Sequence, residues 1–103
     1  MNKMRRKELS DLIKVLRMAE TTDDVCCVVN TLENIRDDEE SYYDNIPENL
    51  QCSQRAYDSE NAIDNMNDAL NVLEEICNSK DNTNEQFKSA IVKAVDKINS
   101  ARY

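Results

Sequence analysis

The absence of glycine constrains the fold of this chain more than any other feature, since its 103 residues include no glycine and one proline, Pro47. Tight turns between β-strands need residues that tolerate positive φ, and glycine tolerates it best. Leu, Ala, Glu and Lys are abundant and favour helices. The composition therefore predicts an all-α protein, and a chain of this length can form one domain, residues 1–103, with one modest core.

Apolar residues recur every three or four positions in four segments, which predicts helices near residues 3–20, 23–45, 53–79 and 84–102. The predicted core stripes are Leu9, Leu12, Ile13, Leu16 and Ala19; Val25, Val28, Leu32, Ile35, Glu39, Tyr42 and Ile46; Ile63, Met66, Leu70, Leu73 and Cys77, flanked by Ala62, Ala69 and Ile76; and Phe87, Ile91, Ala94, Ile98 and Ala101, with Ala90 and Val95 beside them. Each stripe is too narrow for an isolated helix. We expect an antiparallel bundle of three to four helices built around a long central helical hairpin.

The boundary between the first two helices has two interpretations. Thr21 or Thr22 is a good N-cap, and Asp23 and Asp24 suit the positive end of a new helix. A single helix from Lys3 to Asn45 is the alternative, because no proline or glycine forces a turn. We adopt the break. A capping box at Thr83-x-x-Gln86 predicts the start of the last helix.

The missing residue types exclude several chemistries. Without histidine there is no Ser-His or Cys-His nucleophile pair, and without glycine there is no phosphate-binding loop. We therefore expect a protein that is not an enzyme and has no cofactor. The spacing of Cys26, Cys27, Cys52 and Cys77 is not typical of a zinc site, and no apolar run suits a signal peptide or a membrane span. We expect no metal site, no intramolecular disulfide, no membrane association and a cytoplasmic location.

The net charge of −8 is divided unevenly along the chain. Residues 1–17 carry six basic and two acidic side chains, residues 18–78 carry two basic and sixteen acidic, and residues 79–103 carry five basic and three acidic. The ends of the chain are therefore basic and the central hairpin is strongly acidic.

Acidic residues form two rows on the outer faces of the predicted hairpin. The rows are Glu33, Asp37, Glu40 and Asp44, and Glu60, Asp64, Asp68 and Glu75. Neighbouring carboxylates in such a row lie about 5–6 Å apart, close to the spacing of phosphates along a nucleic-acid strand. The rows could therefore bind a basic protein surface. Alternatively, they are solvated helix faces that offset the charge of the basic helices beside them.

The segment around Pro47 also allows two interpretations. A hinge between helices needs only Pro47 as the breaker and Asn45 and Ser53 as caps. The same segment contains Tyr43, Arg55 and Tyr57, which are residue types that anchor protein interfaces. Tyr42 falls on the apolar stripe, so we expect it to pack in the core. We favour an anchor at the bend.

The segment "RDDEESYYDNIPENLQCSQRAYDSENAIDNMNDAL", residues 36–70, resembles a group of small acidic helical proteins of low-GC Gram-positive bacteria and their phages. The shared pattern is Asp38, Glu39, Glu40, Tyr43, Asp44, Asn45, Ile46, Pro47, Glu48, Leu50, Gln51, Ser53 and Arg55. Cys52 stands where glycine is common, and residues 18–27 look inserted. The resemblance implies a helical hairpin and a phage or mobile-element origin, and it implies no activity.

These features lead to one functional hypothesis and one alternative. The hypothesis is a small non-enzymatic interaction protein, in its sharpest form a phage- or mobile-element-encoded inhibitor that binds a basic surface of a host nuclease or defence complex. The alternative is a self-assembling coiled-coil module, for which a homodimer is possible. Direct nucleic-acid binding through "NKMRRK" is not expected, because the acidic centre would repel phosphate.

Overall fold

The computed structural model describes residues 2–50, 52–78 and 83–102. Four α-helices occupy most of these ranges: α1 (Lys3–Arg17), α2 (Thr22–Asp44), α3 (Gln54–Asn78) and α4 (Asn84–Ala101). No strand occurs in the described ranges. The predicted all-α class and the four predicted helices are therefore confirmed, with boundaries that differ from the predicted ones by a few residues.

The helical structure is interrupted between α1 and α2, so the interpretation of two separate helices is confirmed. Thr21 is the N-cap of α2 and forms a capping box with Asp24. The Asp24 carboxylate accepts hydrogen bonds from the backbone N–H groups of Glu20 at 3.1 Å and of Thr21 at 3.2 Å. These bonds to the charged form, that from Glu20 first, hold the pKa of Asp24 below its ordinary value of 3.8.

The other helices begin at residues whose side chains accept a backbone hydrogen bond. Asn2 accepts from the N–H of Arg5 at the start of α1. Thr83 and Gln86 form the predicted capping box at the start of α4. This box follows residues 79–82, which belong to the predicted polar loop and lie outside the described residues.

The helices pack around one core in the order α1, α2, α3, α4, and α4 also contacts α1. Pairs from opposite ends of consecutive helices show that neighbours are antiparallel: Arg5 with Glu39, and Cys26 with Cys77. The buried aliphatic side chains without solvent exposure include Leu9, Leu16, Val25, Leu32, Leu73 and Ile98. The predicted antiparallel bundle is therefore confirmed.

The core stripes differ from the sequence prediction in detail. On α3 the predicted Met66, Leu70 and Leu73 are buried together with the flanking Ala62, Ala69 and Ile76, while Ile63 and Cys77 are only half-buried. The small alanines allow α3 to lie close to both of its neighbours. On α4 the full burial of Ala94, Ile98 and Ala101 agrees with the prediction, while Phe87 and Ile91 are half-buried.

The expectation that no intramolecular disulfide forms is wrong in this structure, which pairs Cys26 with Cys77. The antiparallel packing brings the start of α2 opposite the end of α3, and the two Cα atoms lie 5.7 Å apart, within the range that a disulfide spans. Cys27 and Cys52 are free and exposed. Spacing along the chain could not reveal a pair separated by 51 residues.

Candidate protein-binding site at the helical bend

None of the residues that the structure describes in the bend between α2 and α3 has a positive φ. The backbone N–H of Asn45 and its side-chain amide both bond to the carbonyl of Ser41 and close α2. After Pro47, one 3₁₀ turn spans Glu48–Leu50, and the Leu50 N–H donates to the Pro47 carbonyl at 2.8 Å. Successive tight turns therefore replace the glycine that a sharper connection would need.

A cleft of about 380 Å³ opens beside this turn, and its lining surface is almost entirely apolar. The lining residues are Tyr42, Asn45, Ile46, Pro47, Leu50, Ser53 and Arg55. Leu50 is 47% exposed, whereas Ile46 is buried at the foot of the cleft. The cleft can therefore accept an apolar side chain of another molecule. Gln51, which belongs to the same bend, lies outside the described residues.

A buried polar cluster fixes the base of the hairpin just below the cleft. Glu39 has no solvent exposure, although it occupies a core position of α2. Its carboxylate accepts a bond from Arg5 Nε of α1 at 2.8 Å and from the hydroxyl of Ser59, also fully buried, on α3 at 2.9 Å. Three helices therefore meet at one carboxylate. We refer to Arg5, Glu39 and Ser59 as the polar latch.

Tyr42 connects the polar latch to the cleft. The Arg5 guanidinium carbon lies 5.6 Å from the centre of the Tyr42 ring, within cation–π range. The same tyrosine lines the cleft and is half-buried. The sequence predicted that Tyr42 packs in the core, but the residue is only half-buried. Its ring lies between the guanidinium of Arg5 and the open cleft.

The predicted anchors are distributed unevenly around the bend. Arg55 is exposed and lines the cleft, and Tyr57 is 60% exposed near the start of α3. Tyr43 is half-buried. Neither Tyr43 nor Tyr57 is among the residues that line the cleft. The structure therefore brings Arg55 to the cleft and leaves Tyr57 as a separate exposed aromatic on the adjoining turn of α3.

One basic residue, Arg36, lies within the predicted acidic row on α2. Arg36 contacts Asp37 at 3.1 Å and Glu40 at 4.0 Å, and it also donates to Asn67 of α3. Glu33 is half-buried and Asp44 is exposed. Surface pairs of this kind contribute about 0–1 kcal/mol, so Asp37 and Glu40 remain accessible to a stronger external partner.

The four predicted acidic residues on α3 are all exposed, but the surroundings of Asp64 and Asp68 differ. Asp68 lies 3.4 Å from the Nζ of Lys97 on α4. Asp64 is one turn earlier on the same face. Apart from the half-buried Glu33, the acidic rows are therefore solvent-facing, as predicted, and Lys97 of α4 partly neutralises the row on α3.

The polar latch was not predicted from the sequence, although the sequence contains one signal of it. Glu39 stood within an otherwise apolar heptad, and Ser59 precedes Ile63 by one helical turn on the third stripe. Polar residues at core positions require buried partners. A carboxylate at a core position such as Glu39 requires a cation from another helix as its partner.

No group of three or more histidine, cysteine or acidic side chains is placed to hold a metal within residues 2–50, 52–78 and 83–102. Among the helices that the structure describes, none is long and apolar enough to cross a membrane. Comparison of the chain with protein-family profiles, curated proteins and solved structures finds no match.

Proposed function

We propose that this protein is a small non-enzymatic interaction protein whose acidic hairpin binds a basic protein surface, with the cleft at the bend as the anchor. The observation that carries the proposal is the apolar cleft, with Arg55 in its lining, at the end of two helices whose outer faces are acidic. Interfaces combine a buried apolar anchor with a charged rim in this way.

The cleft and the acidic rows would affect different steps of binding. A partner side chain that fills the cleft would lose contact with water, so the anchor would govern the rate of dissociation. The acidic rows remain solvated, so they would steer a basic partner and govern the rate of association. The polar latch supports the cleft because it connects the starts of α1 and α3 to the end of α2, which limits the ordering cost on binding.

The partner that we propose is a nucleic-acid-binding surface of a host nuclease or defence complex, and the protein would act as a phage- or mobile-element-encoded inhibitor. Two features support this choice. Carboxylates spaced along α2 and α3 imitate a row of phosphates, and the resemblance of residues 36–70 implies a phage origin. We also propose a cytoplasmic location, because a host nuclease or defence complex would be met there; in that compartment the Cys26–Cys77 pair would be kept reduced.

The experiment is affinity capture from a host lysate at low and high salt, followed by identification of the partner and measurement of its binding kinetics. Arg55→Ala and Tyr57→Ala should accelerate dissociation. Asp44→Asn combined with Asp64→Asn should slow association and weaken its salt dependence.

The matched control is Glu85→Gln with Asp96→Asn, which removes the same charge from α4, outside the acidic rows. This control should change association much less than the hairpin pair. A partner whose binding is insensitive to both the bend variants and the hairpin pair would refute the proposal and leave the bend as a hinge.

The alternative of a self-assembling coiled coil has less support. It requires apolar surface that remains after the bundle has formed, but the heptad residues Val25, Val28, Leu32 and Ile35 are all buried within one chain. Sedimentation of a concentrated sample as a monomer would exclude it.

A further inference from the structure

Five cations lie on one outer stripe of α1. Lys3, Arg6, Lys7, Lys14 and Arg17 are all exposed. Arg6 and Lys7 follow Lys3 by three and four residues, Lys14 follows Lys7 by two helical turns, and Arg17 follows Lys14 by three residues. Side chains at such spacing lie on one face of a helix. The core residues Leu9, Leu12 and Leu16 belong to the opposite face.

The fold completes this stripe with cations from α4. Ser10 occupies the gap between Lys7 and Lys14, and its hydroxyl accepts a hydrogen bond from Arg102. Arg102 also donates to Asn99 at 2.7 Å, which fixes its guanidinium beside α1. Lys88 and Arg17 line one groove between the two helices. We call these seven cations the basic stripe: Lys3, Arg6, Lys7, Lys14, Arg17, Lys88 and Arg102.

The N-terminal part of the basic stripe is unfavourable for the helix that carries it, whereas Lys14 and Arg17 lie in the last turn, where cations are favoured. The first turn of a helix favours acidic residues because its N–H groups form a positive end. The first turn of α1 contains no acidic residue, but it carries Lys3, Arg5 and Arg6. Features that oppose local stability often mark functional surfaces. A ligand of negative charge would convert this repulsion into attraction.

The acidic centre of the chain does not abolish this attraction. The two acidic rows lie on α2 and α3, whereas the basic stripe lies on α1 and α4, and the bundle measures 21 and 18 Å across its short axes. Charges at physiological ionic strength are screened over about 8 Å. The acidic residues of α1 and α4 are Glu8, Asp11, Glu85 and Asp96, and Glu20 borders the groove, so the seven cations of the stripe outnumber the acids around them.

We propose that the basic stripe binds the phosphodiester backbone of nucleic acid without sequence preference. On α1 it extends over about 21 Å, since each helical residue advances 1.5 Å. This length corresponds to about six phosphates of one strand of a duplex. The stripe contains no aromatic side chain, so it contacts the backbone and does not stack on bases. This departs from the sequence-based expectation, which considered only the short N-terminal arm.

Nucleic acid fits the basic stripe better than the acidic rows of a second copy would. Ion pairs between exposed protein side chains contribute little individually, and they must offset the entropy of association. Nucleic acid differs because it releases condensed counterions when its phosphates are neutralised. For a non-specific site of this kind, Kd at physiological salt is about 10⁻⁴ to 10⁻⁶ M.

The test measures fluorescence anisotropy of a labelled 20-base-pair DNA duplex and a labelled 20-nucleotide strand with the full chain. Affinity for the duplex should fall at least about 100-fold between 50 and 200 mM salt. Lys7→Gln with Lys14→Gln should reduce the slope of log K against log salt by about 2. Asp11→Asn should raise the affinity.

The matched control is Lys93→Gln with Lys97→Gln, which removes the same charge from the side of α4 that faces Asp68 of α3. It should leave the slope close to that of the unmodified chain. Equal losses in both double variants, or no binding at 50 mM salt, would overturn the proposal. Binding to vesicles that contain anionic phospholipid, without binding to either oligonucleotide, would assign the stripe to a membrane surface and would also overturn it. The acidic hairpin is unchanged in these variants, so the proposed function is tested separately.

Discussion

Replacing Arg5 with methionine should destabilise the protein far more than an ordinary surface substitution. The change removes the guanidinium but leaves the Glu39 carboxylate fully buried, 2.9 Å from the hydroxyl of Ser59. Removal of one partner of a buried ion pair costs about 3–5 kcal/mol. The Arg5 side chain is 13% exposed, so we expect about 3 kcal/mol, at the lower end of that range. This is a large part of the roughly 5–15 kcal/mol that stabilises a domain of this size.

The assay is urea unfolding followed by far-UV circular dichroism, which gives the free energy of unfolding and its dependence on urea. Arg6→Met is the matched control because it removes the same charge from the exposed face of the same helix. It should change stability by about 0.5 kcal/mol or less.

A triple variant separates the net contribution of the polar latch from the cost of breaking it. Arg5→Met, Glu39→Leu and Ser59→Ala together remove all three polar side chains, so no buried charge is left without its partner. Such replacements are often neutral or stabilise a protein by about 1–4 kcal/mol. The reasoning would be refuted if Arg5→Met behaved like Arg6→Met, or if the triple variant were as unstable as Arg5→Met alone.

Three further predictions concern the other links between helices. Reduction of the disulfide, or Cys26→Ser with Cys77→Ser, should lower the free energy of unfolding by up to about 4 kcal/mol, since it opens a long covalent loop; Cys27→Ser is the control, and an unchanged urea midpoint on reduction would contradict the prediction. Arg36→Met should cost about 1 kcal/mol or less, because its side chain is 28% exposed, and a loss as large as that from Arg5→Met would show that exposure does not separate the two ion pairs. The lowered pKa of Asp24 stabilises the fold above about pH 4 and ceases to do so as the pH falls through the lowered value, so Asp24→Asn should flatten the decline of the melting temperature below pH 4; an identical decline in both proteins would contradict this.

The helices could be predicted from the sequence because their signals are local. Apolar periodicity located all four, and the threonine before two aspartates located the break before α2. Pro47 located the bend between α2 and α3, because the residue before a proline is disfavoured in helical geometry. Each of these signals depends on neighbours within a few residues, which one sequence displays directly.

The features that depend on contacts between helices could not be predicted in the same way. The Cys26–Cys77 pair depends on how far α2 and α3 slide past each other. The polar latch likewise depends on the relative positions of α1, α2 and α3. The cleft forms because the bend places Leu50 and Arg55 next to Tyr42. The acidic rows were visible in the sequence, but the ion pairs from Arg36 and Lys97 within them were not.

The position of the polar latch explains why a buried ion pair stands where an apolar contact would give comparable stability. The Arg102–Ser10 bond places the end of α4 beside the middle of α1. In the first six residues of α1, Lys3, Met4, Arg6 and Lys7 are exposed, and Arg5 and Glu8 are half-buried. Apolar burial on α1 therefore begins only at Leu9. An ion pair and a hydroxyl bond to one carboxylate are satisfied in a single geometry, whereas an apolar contact tolerates sliding. Arg5 thus adds a fixed contact one turn before Leu9, and it holds the start of α1 against Glu39 and beside the Tyr42 ring.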